Sequence, residues 1–464
     1  MAGAGPRDEG KNKLIDTPLS AVLAKKSEHK VCFDRQGREV YWPEFVRTVA
    51  GLAGRLAETD SRYWAVDTED SFEFGCALFA CWGAGKTPVL TPAHLLADAR
   101  KDLNLDGVIT SRSDSAATMP IIAFDQFSPA DALDGIIPAA SDLILFTSGS
   151  TGKPTQVQRT IRHFEAELDV LESVFGQRMA ECPVYSTVSH RHVYGMLFRL
   201  LWPLVTERAF ATYDFDYPEN LLGEVAEDAA LVSSPALLKR IGHLPEQPGA
   251  GWRIIFSSGG MLPEYAANDA ARLLGTCPAE VLGSTETSGV AWRQQEEMGA
   301  ATPWHTLPEV RIRQDDEGFL EVSSPFTGLS GWHRMGDKVA LSTLRTFELL
   351  GRGDHIVKIE DKRVSLAEIE QHAMAHPWVI DAAAVALDDD ARQYIGVVLQ
   401  LNDDGQAEMQ SRGHVDVNKQ IKQWLREKTD PVALPRRFRY EDKIPADPQG
   451  KRQPAIIRQL FDQQ

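Results

Sequence analysis

The chain has 464 residues, a formal net charge of −17 and a hydrophobic fraction of 43%. This length suffices for two or three domains with separate cores, and the acidic charge argues against nonspecific binding to nucleic acid or anionic membranes. Five scattered cysteines show no zinc spacing, so we expect free thiols in a reducing cytoplasm. Since no apolar run reaches the roughly 18 residues of a spanning helix and the N-terminus lacks an apolar signal core, we expect no membrane insertion.

The first 140 residues alternate between strand and helix patterns. Residues 40–60 place apolar residues at helical spacing after a strand-like Val-Tyr-Trp, and residues 71–85 form a second helical pattern. Short strand-like runs follow at 87–93, 107–111 and 121–125. Alternation of this kind is typical of an α/β fold with a parallel or mixed sheet.

The next segment combines a buried strand with a loop suited to an anion. The apolar run 143–146 predicts the strand, and it leads into Thr147, Ser148, Gly149, Ser150, Thr151, Gly152 and Lys153, here called the phosphate loop. Glycines let backbone N–H groups turn toward an anion, while the hydroxyls and the ammonium group add donors. It is not a Walker loop, because two residues separate its glycines and Pro154 follows its lysine.

Further along, a long helix is predicted over 157–175, and two histidines lie between a short strand and a strongly apolar helix. His190 and His192 allow three interpretations: side chains satisfied within the fold, a metal-binding pair, or contacts to a carboxylate substrate. No cysteine or carboxylate accompanies the pair, which disfavours the metal.

Two later strands end in small and hydroxylic residues. The first ends in Gly259 and Gly260, and the second leads into 282–289, where Glu286 is the one carboxylate. Mg²⁺ takes oxygen ligands and shares them with phosphates, so Glu286 is a candidate ligand. Asp337 follows a glycine, a pattern that in isolation is more often a turn.

The remainder from about residue 355 predicts a small α/β domain. Residues 381–389 and 394–402 are strand-like, and 417–429 is helical. Lys451 lies in a loop rich in proline and glycine near the C-terminus, where a lysine taken alone is usually only solvated.

Taken in order, these segments resemble the motifs of the adenylate-forming enzymes, the superfamily of acyl-CoA synthetases, aryl-CoA ligases and peptide-synthetase adenylation domains. The resemblance rests on the phosphate loop and on the segments His192-Val-Tyr-Gly195, Ser258-Gly-Gly260, Leu282-Gly-Ser-Thr-Glu286, Gly351-Arg-Gly-Asp354 and Gly450-Lys451. It implies an α/β fold with a large N-terminal domain of mixed sheets and helices, 1–352, and a small mobile C-terminal α/β domain, 353–464.

The resemblance also implies a role for each matched residue. ATP is implied to be bound by the phosphate loop, which holds its β- and γ-phosphates, and by Gly259, Gly260, Leu282, Gly283, Ser284, Asp337 and Arg352. The implied catalytic residues are Lys451, His192, Thr285 and Glu286, with Glu286 positioning Mg²⁺ and Asp354 acting as the hinge. The implied acid pocket comprises His192, Tyr194, Gly195 and Gly259.

The implied activity is ATP-dependent conversion of a fatty or aryl acid to acyl-AMP, followed by transfer to the thiol of CoA or of a carrier protein's phosphopantetheine. The absence of an aspartate in 188–195 favours an acid without an amino group. The chain departs from the family at Leu282, where a tyrosine is usual, at Thr155-Gln156, where Lys-Gly is usual, and at Glu360-Asp361, where a glycine turn is usual. Two alternatives stay open: a degenerate relative that binds a nucleotide or a carrier protein, and a kinase-like ATP user, although kinase signatures are missing.

Overall fold

The computed structural model of the chain describes residues 14–91, 96–103, 105, 107–112, 120–130, 136–147, 155–222, 228–246, 251–295, 302–353, 356–359, 362–388, 393–446, 452 and 454–462. Within these ranges, no helix combines the length and the apolar composition that crossing a bilayer requires.

The first 160 residues confirm the predicted alternation of strands and helices. The elements are β1 (Lys30–Phe33), β2 (Glu39–Tyr41), α1 (Trp42–Ala57), β3 (Tyr63–Asp67), α2 (Ser71–Gly83), β4 (Thr87–Leu90), α3 (Leu96–Leu103), β5 (Gly107–Thr110), β6 (Ile121–Ala123), β7 (Asp142–Thr147) and β8 (Thr155–Thr160). A six-stranded sheet has the order β6-β5-β3-β4-β7-β8, parallel except for β8. The carboxyl ends of its parallel strands therefore meet at one edge, where the phosphate loop begins.

The helix predicted from residue 157 begins four residues later, and the prediction was wrong over 157–160. Residues 155–160 instead form β8, which is antiparallel to β7. Thr155 pairs with Thr147 at one end, and Thr160 pairs with Asp142 at the other. The following helix, α4 (Ile161–Met179), starts after a cap in which the Thr160 N–H donates to His163 Nδ1 at 3.0 Å. Strand pairing with β7 overrides the local helical spacing, and the Thr160 cap fixes where the helix begins.

The middle of the chain builds a larger sheet. Its elements are β9 (Val184–Ser186), α5 (Val193–Gly195), a π-helical stretch (Met196–Leu201), α6 (Trp202–Val205), β10 (Phe210–Asp214), β11 (Ala229–Ser233), α7 (Pro235–Leu238), β12 (Trp252–Ser257), α8 (Glu264–Leu274), β13 (Ala279–Ser284), β14 (Ser288–Gln294), β15 (Trp304–Thr306), β16 (Arg311–Gln314), β17 (Phe319–Ser323), β18 (His333–Leu341) and β19 (Thr346–Arg352). The described strands of this sheet have the order β16-β17-β18-β19-β15-β14-β13-β12-β11-β9-β10-β1-β2. The section from β13 through β9 to β1 is parallel.

The main hydrophobic core lies between the two sheets. Helices α1, α2 and α4 and the π-helical stretch contribute apolar side chains to one cluster with strands of both sheets, for example Leu143 on β7 and Phe256 on β12. The far face of the larger sheet is covered by α7 and α8, and the far face of the smaller sheet by α3. In this arrangement, side chains of α4 and β8 hydrogen-bond to the segments that follow β13 and β17.

The C-terminal part has its own core. Its elements are β20 (Ile356–Ile359), β21 (Lys362–Ser365), α9 (Leu366–Met374), β22 (Val379–Asp388), β23 (Gln393–Leu401), α10 (Asp403–Arg426), β24 (Arg437–Tyr440) and α11 (Pro454–Gln459). Helices α9 and α10 pack on one face of the sheet β22-β23-β24, and α11 packs on the other. The predicted architecture, a large N-terminal α/β domain and a smaller C-terminal α/β domain, is confirmed; the boundary at residue 352 stays a prediction.

Candidate active site

The strands on both sides of the phosphate loop are well defined. Thr147 ends β7, Thr155 begins β8, and the two residues are register partners in an antiparallel pair. Residues Ser148, Gly149, Ser150, Thr151, Gly152 and Lys153 lie outside the described residues. The described ends show that the loop connects neighbouring strands at the carboxyl edge of the smaller sheet, where α/β proteins bind ligands.

The segment around Glu286 is a tight turn, residues 284–288, here called the Glu286 turn. The Ser284 N–H donates to Thr287 Oγ1 and the Thr287 N–H donates to Ser284 Oγ, both at 3.1 Å. Ser288 has a left-handed backbone, with a φ of 57°. Thr287 and Ser288 are buried, whereas Thr285 and Glu286 at the tip are partly exposed. The reciprocal hydroxyl bonds thus present the Glu286 carboxylate on a rigid turn.

Gly283 is required by a close approach of two backbones. A Cβ atom at this position would lie 2.3 Å from the carbonyl oxygen of Ser288, a distance that no side chain tolerates. Leu282 beside it is partly buried against the main core.

Ser258 Oγ donates to the Val281 carbonyl at 2.8 Å, which ties the end of β12 to β13, and Gly259 follows with a φ of 90°. Gly259, Gly260, Leu282 and Gly283 are therefore neighbours at the ends of adjacent strands.

Asp337 and Arg352 are brought together across two strands. Asp337 lies on β18 and Arg352 on β19, and the two are register partners, so the turn suggested for Asp337 by its local sequence was wrong. A Cβ atom on Gly336 would lie 3.0 Å from Arg352 Nη2, so the guanidinium covers this glycine. Asp337 is buried, and both residues make polar interactions. The two residues implied to contact ribose thus form one unit.

His190 is satisfied within the fold. Its Nε2 lies 3.2 Å from the Thr68 carbonyl oxygen and its Nδ1 lies 2.9 Å from Ser71 Oγ. Since the carbonyl can only accept, Nε2 carries the proton and Nδ1 accepts from the serine. Phe74 packs against the ring at 4.5 Å. Of the three interpretations of this histidine, the structure supports the structural one.

The buried His190 makes stability dependent on pH. Burial lowers its pKa below the ordinary value of about 6.5, and the charges of Arg199, Arg191 and His192 act in the same direction. The unfolded chain therefore binds a proton more readily, so this contribution is complete above pH 6.5 and is lost as the pH falls. We expect His190→Gln to cost about 1–3 kcal/mol at pH 7.5 and less at pH 5.5 in urea unfolding. An equal cost at both pH values would contradict the neutral histidine.

His192 starts the helical segment that is implied to cover the acid. The Met196 N–H donates to the His192 carbonyl at 2.7 Å, and a Cβ atom on Gly195 would lie 2.2 Å from the Ser189 carbonyl oxygen. The close approach explains why glycine follows three residues after this histidine. Tyr194 packs against Phe198, with ring centroids 4.9 Å apart, and burial raises the pKa of its hydroxyl. The π-helical stretch follows directly, as is frequent at functional sites.

A buried arginine beneath the Glu286 turn was missed in the sequence. Arg159 on β8 is 1% exposed, and its Nη2 and Nη1 donate to the carbonyls of Thr285 and Phe326 at 2.5 and 2.9 Å. Burial lowers the pKa of Arg159, whereas the carboxylates of Glu167 and Glu286 raise it. Its one sequence signal is the Thr160–His163 cap spacing, which starts the helix after residue 160 and so leaves Arg159 outside it.

Glu167 on α4 is the second buried charge-bearing residue there. It is 1% exposed, and its Oε1 accepts from the Gly289 N–H at 2.8 Å. Burial raises its pKa, against which the Gly289 N–H, the Ser288 hydroxyl and Arg159 act. Arg159 and Glu167 together form the floor under the Glu286 turn.

Besides residues 148–153 of the phosphate loop, three further predicted residues or segments lie outside the described residues: the hinge Asp354, the departure Glu360-Asp361 and the catalytic Lys451. Arg452, next to Lys451, is described, and its guanidinium donates to the Asp381 carboxylate and to the Ala382 carbonyl on β22. The chain is therefore anchored to the C-terminal sheet one residue after Lys451.

The donor set at the Glu286 turn fits Mg²⁺. A partly exposed carboxylate flanked by hydroxyls supplies the hard oxygen ligands that this ion prefers, and phosphate oxygens would complete its shell. Among the described residues there is no group of three or more histidine, cysteine or carboxylate side chains that could hold a metal ion alone. The site fits an ion that arrives with a nucleotide rather than one held by protein ligands only.

Comparison with known proteins matches both parts of the chain. Residues 21–323 match the family of AMP-binding enzymes, and residues 368–451 match the AMP-binding enzyme C-terminal domain. The chain is 26% identical to the anthranilate–CoA ligase of Pseudomonas aeruginosa, over 90% of each protein. It is 24% identical to the 4-hydroxybenzoate–CoA/benzoate–CoA ligase of Rhodopseudomonas palustris, over 93% of this chain and 91% of that one. A match to the 4-coumarate–CoA ligase of Cereibacter sphaeroides, 25% identical, spans 61% of that protein.

Solved structures share the fold across nearly the whole chain. ATP-bound MatB from Rhodopseudomonas palustris superposes with a TM-score of 0.81 at 18% identity, covering 96% of this chain and 99% of that one. A benzoate CoA ligase from Burkholderia xenovorans has a TM-score of 0.78 at 18% identity, covering 95% and 99%. With the nucleotide-site motifs in family order and both parts matched, the chain belongs to the family of AMP-binding enzymes.

Proposed function

We propose that the protein activates a carboxylic acid with ATP and transfers the acyl group to a thiol. The observation that carries this proposal is the Asp337–Arg352 pair, which two antiparallel strands bring face to face. A carboxylate can accept hydrogen bonds from both hydroxyls of a ribose, and a guanidinium can donate to ribose or phosphate oxygens.

The proposed first step joins two anions. A carboxylate oxygen attacks the α-phosphorus of ATP, the bond to the leaving pyrophosphate breaks, and acyl-AMP forms. Because both reactants are negative, catalysis rests on charge neutralisation and alignment. The phosphate loop would hold the outer phosphates, Thr285 and Glu286 would contact the nucleotide and its metal, and Lys451 would lie between the carboxylate and the α-phosphate. Mg²⁺ bound with ATP would supply further charge neutralisation.

In the proposed second step, a thiolate attacks the acyl carbonyl and AMP leaves. CoA is the proposed acceptor, since two relatives that match over at least 90% of this chain are named CoA ligases. Both are named for benzoate-type acids, which supports an aryl acid as the substrate, with a fatty acid as the alternative. The acid pocket would be lined by His192, Tyr194, Gly195 and Gly259. Rotation of the C-terminal domain about Asp354 would switch the enzyme from the first step to the second.

Pyrophosphate exchange into ATP tests this function. The panel contains benzoate, hydroxybenzoates, aminobenzoates, fatty acids and amino acids, and positive acids are then tried with CoA and with a phosphopantetheinylated carrier protein. We expect exchange with one class of acid that has no α-amino group, and acyl-CoA as the product. ATP binding without exchange for any acid would support a degenerate relative, and acyl transfer only to the carrier protein would correct the acceptor.

A further inference from the structure

We propose that Arg159 is a positioning residue for the metal–nucleotide complex and acts through the Glu286 turn. Its guanidinium holds the Thr285 carbonyl from beneath, so it fixes the peptide from which the Glu286 side chain projects. This inference rests on the proposed function, since it assigns Arg159 to the same nucleotide site.

The hydrogen bonds of Arg159 tie three parts of the fold together. The residue belongs to β8, directly after the phosphate loop, and it donates to Thr285 in the Glu286 turn and to Phe326 after β17. Both distances, 2.5 and 2.9 Å, are those of strong hydrogen bonds. A shift of the Glu286 turn would break a charge-assisted bond in a buried place, which is costly. The turn is thereby held at a fixed distance from the strand that follows the phosphate loop.

Among the residues that the structure describes, Arg159 has no salt bridge with a carboxylate, unlike the buried Arg208. Arg208, also buried, donates Nη1 and Nη2 to the two oxygens of Glu172 at 2.7 and 2.9 Å, a complete bidentate ion pair. Arg159 directs both of these hydrogen bonds to neutral carbonyls instead. Its positive charge therefore acts on the surroundings, which include first the Glu167 carboxylate and then the Glu286 carboxylate.

This arrangement matters because the chain lacks one cation near the phosphate loop. Thr155-Gln156 stands where the resemblance led us to expect Lys-Gly, which leaves Lys153 as the single cation of that loop in the sequence. Arg159 lies four residues after Thr155 on the same strand and adds a second positive charge beneath the Glu286 turn. It contacts carbonyls of the protein and is not proposed to touch ATP.

A double-mutant cycle tests the inference through binding as well as turnover. The four proteins are the wild type, Arg159→Met, Glu286→Gln and the double variant, and the affinity for Mn²⁺–ATP is measured by electron paramagnetic resonance alongside the Mg²⁺ requirement of pyrophosphate exchange. We expect Arg159→Met to weaken Mn²⁺–ATP binding about 10-fold. In the Glu286→Gln background we expect its effect to fall below about 2-fold, because residues that act as one unit are not additive. The same factor in both backgrounds would overturn the inference.

Arg208→Met is the matched control. It removes another buried guanidinium, whose hydrogen bonds go to Glu172 and not to the Glu286 turn, so it should lower the melting temperature and leave the Mn²⁺–ATP affinity unchanged. Arg159→Lys keeps a charged donor that can reach one carbonyl, and it should recover most of the lost affinity. If Arg159→Met does not fold, Arg159→Gln replaces it in the cycle. If Arg159→Gln also fails to fold, Arg159→Lys enters the cycle instead; its smaller loss of Mn²⁺–ATP affinity should disappear in the Glu286→Gln background, and a loss of the same factor in both backgrounds would overturn the inference.

The cycle separates two kinds of failure. A wild-type protein that neither binds Mn²⁺–ATP nor exchanges pyrophosphate with any acid contradicts the proposed function itself. A wild-type protein that does both, with additive effects in the cycle, contradicts only the role of Arg159.

Discussion

Lys451→Ala is expected to reduce acyl-AMP formation by about 10²–10³-fold and to spare thiol transfer from a preformed acyl-AMP. The lysine is proposed to neutralise the carboxylate and the α-phosphate as they approach, a need that exists only in the first step. The two steps are measured separately, by pyrophosphate exchange and by CoA acylation from the synthetic adenylate.

The control for this experiment is Lys443, an exposed lysine eight residues earlier in the chain, whose replacement by alanine removes the same charge from the C-terminal part. Lys443→Ala should leave both steps within about 2-fold of the wild type. Equal losses of both steps in Lys451→Ala would show that the lysine serves the fold or the domain arrangement rather than adenylation.

Glu286→Gln is expected to lower kcat/KM for pyrophosphate exchange by about 10²-fold and to raise the Mg²⁺ concentration needed for half-maximal rate. Glutamine keeps the size of the side chain but loses the charge that makes a carboxylate a good Mg²⁺ ligand. The hydrogen bonds that build the turn, from the N–H groups of Ser284 and Thr287 to each other's hydroxyls, do not involve the Glu286 side chain. Rates are measured across a Mg²⁺ titration at constant ATP.

Glu348→Gln is the matched control, because this exposed carboxylate on β19 carries the same charge outside the Glu286 turn. Its exchange rate and Mg²⁺ dependence should equal those of the wild type. A Glu286→Gln protein with a normal Mg²⁺ dependence would remove this residue from the metal site, even if its overall rate were lower.

The sequence predicts the helices and strands well where the hydrophobic spacing is strong. The strand before the phosphate loop and helix α2 lie where their apolar patterns place them. The prediction failed at 157–160, because pairing with β7 is a tertiary event that helical spacing cannot register. The same limit applies to the local sequence around Asp337: Gly336-Asp337 taken alone suggests a turn, but the two residues lie in a strand that pairs with β19.

The candidate site also contains residues that the sequence can propose and residues that only the fold shows. Glu286 could be proposed because it is the one carboxylate in a hydroxyl-rich stretch after a strand, whereas Asp337 and Arg352 were proposed only from the family resemblance. Arg159 could not, because an arginine between polar residues is expected to be exposed, and only the fold shows it buried under the turn. The motif implied a glycine at 195, but only the three-dimensional structure shows the cause. A Cβ atom at this position would lie 2.2 Å from the Ser189 carbonyl oxygen.

The most direct test of the account is the fate of the acid's carboxylate oxygen. The enzyme is incubated with ATP, thiol and an accepted acid labelled with ¹⁸O in its carboxylate, and the nucleotide and phosphate products are analysed by mass spectrometry. Acyl-AMP chemistry predicts that the AMP carries one ¹⁸O atom from the acid and that unlabelled pyrophosphate is released. ADP as the nucleotide product, with ¹⁸O in inorganic phosphate, would show an acyl-phosphate route and contradict the account.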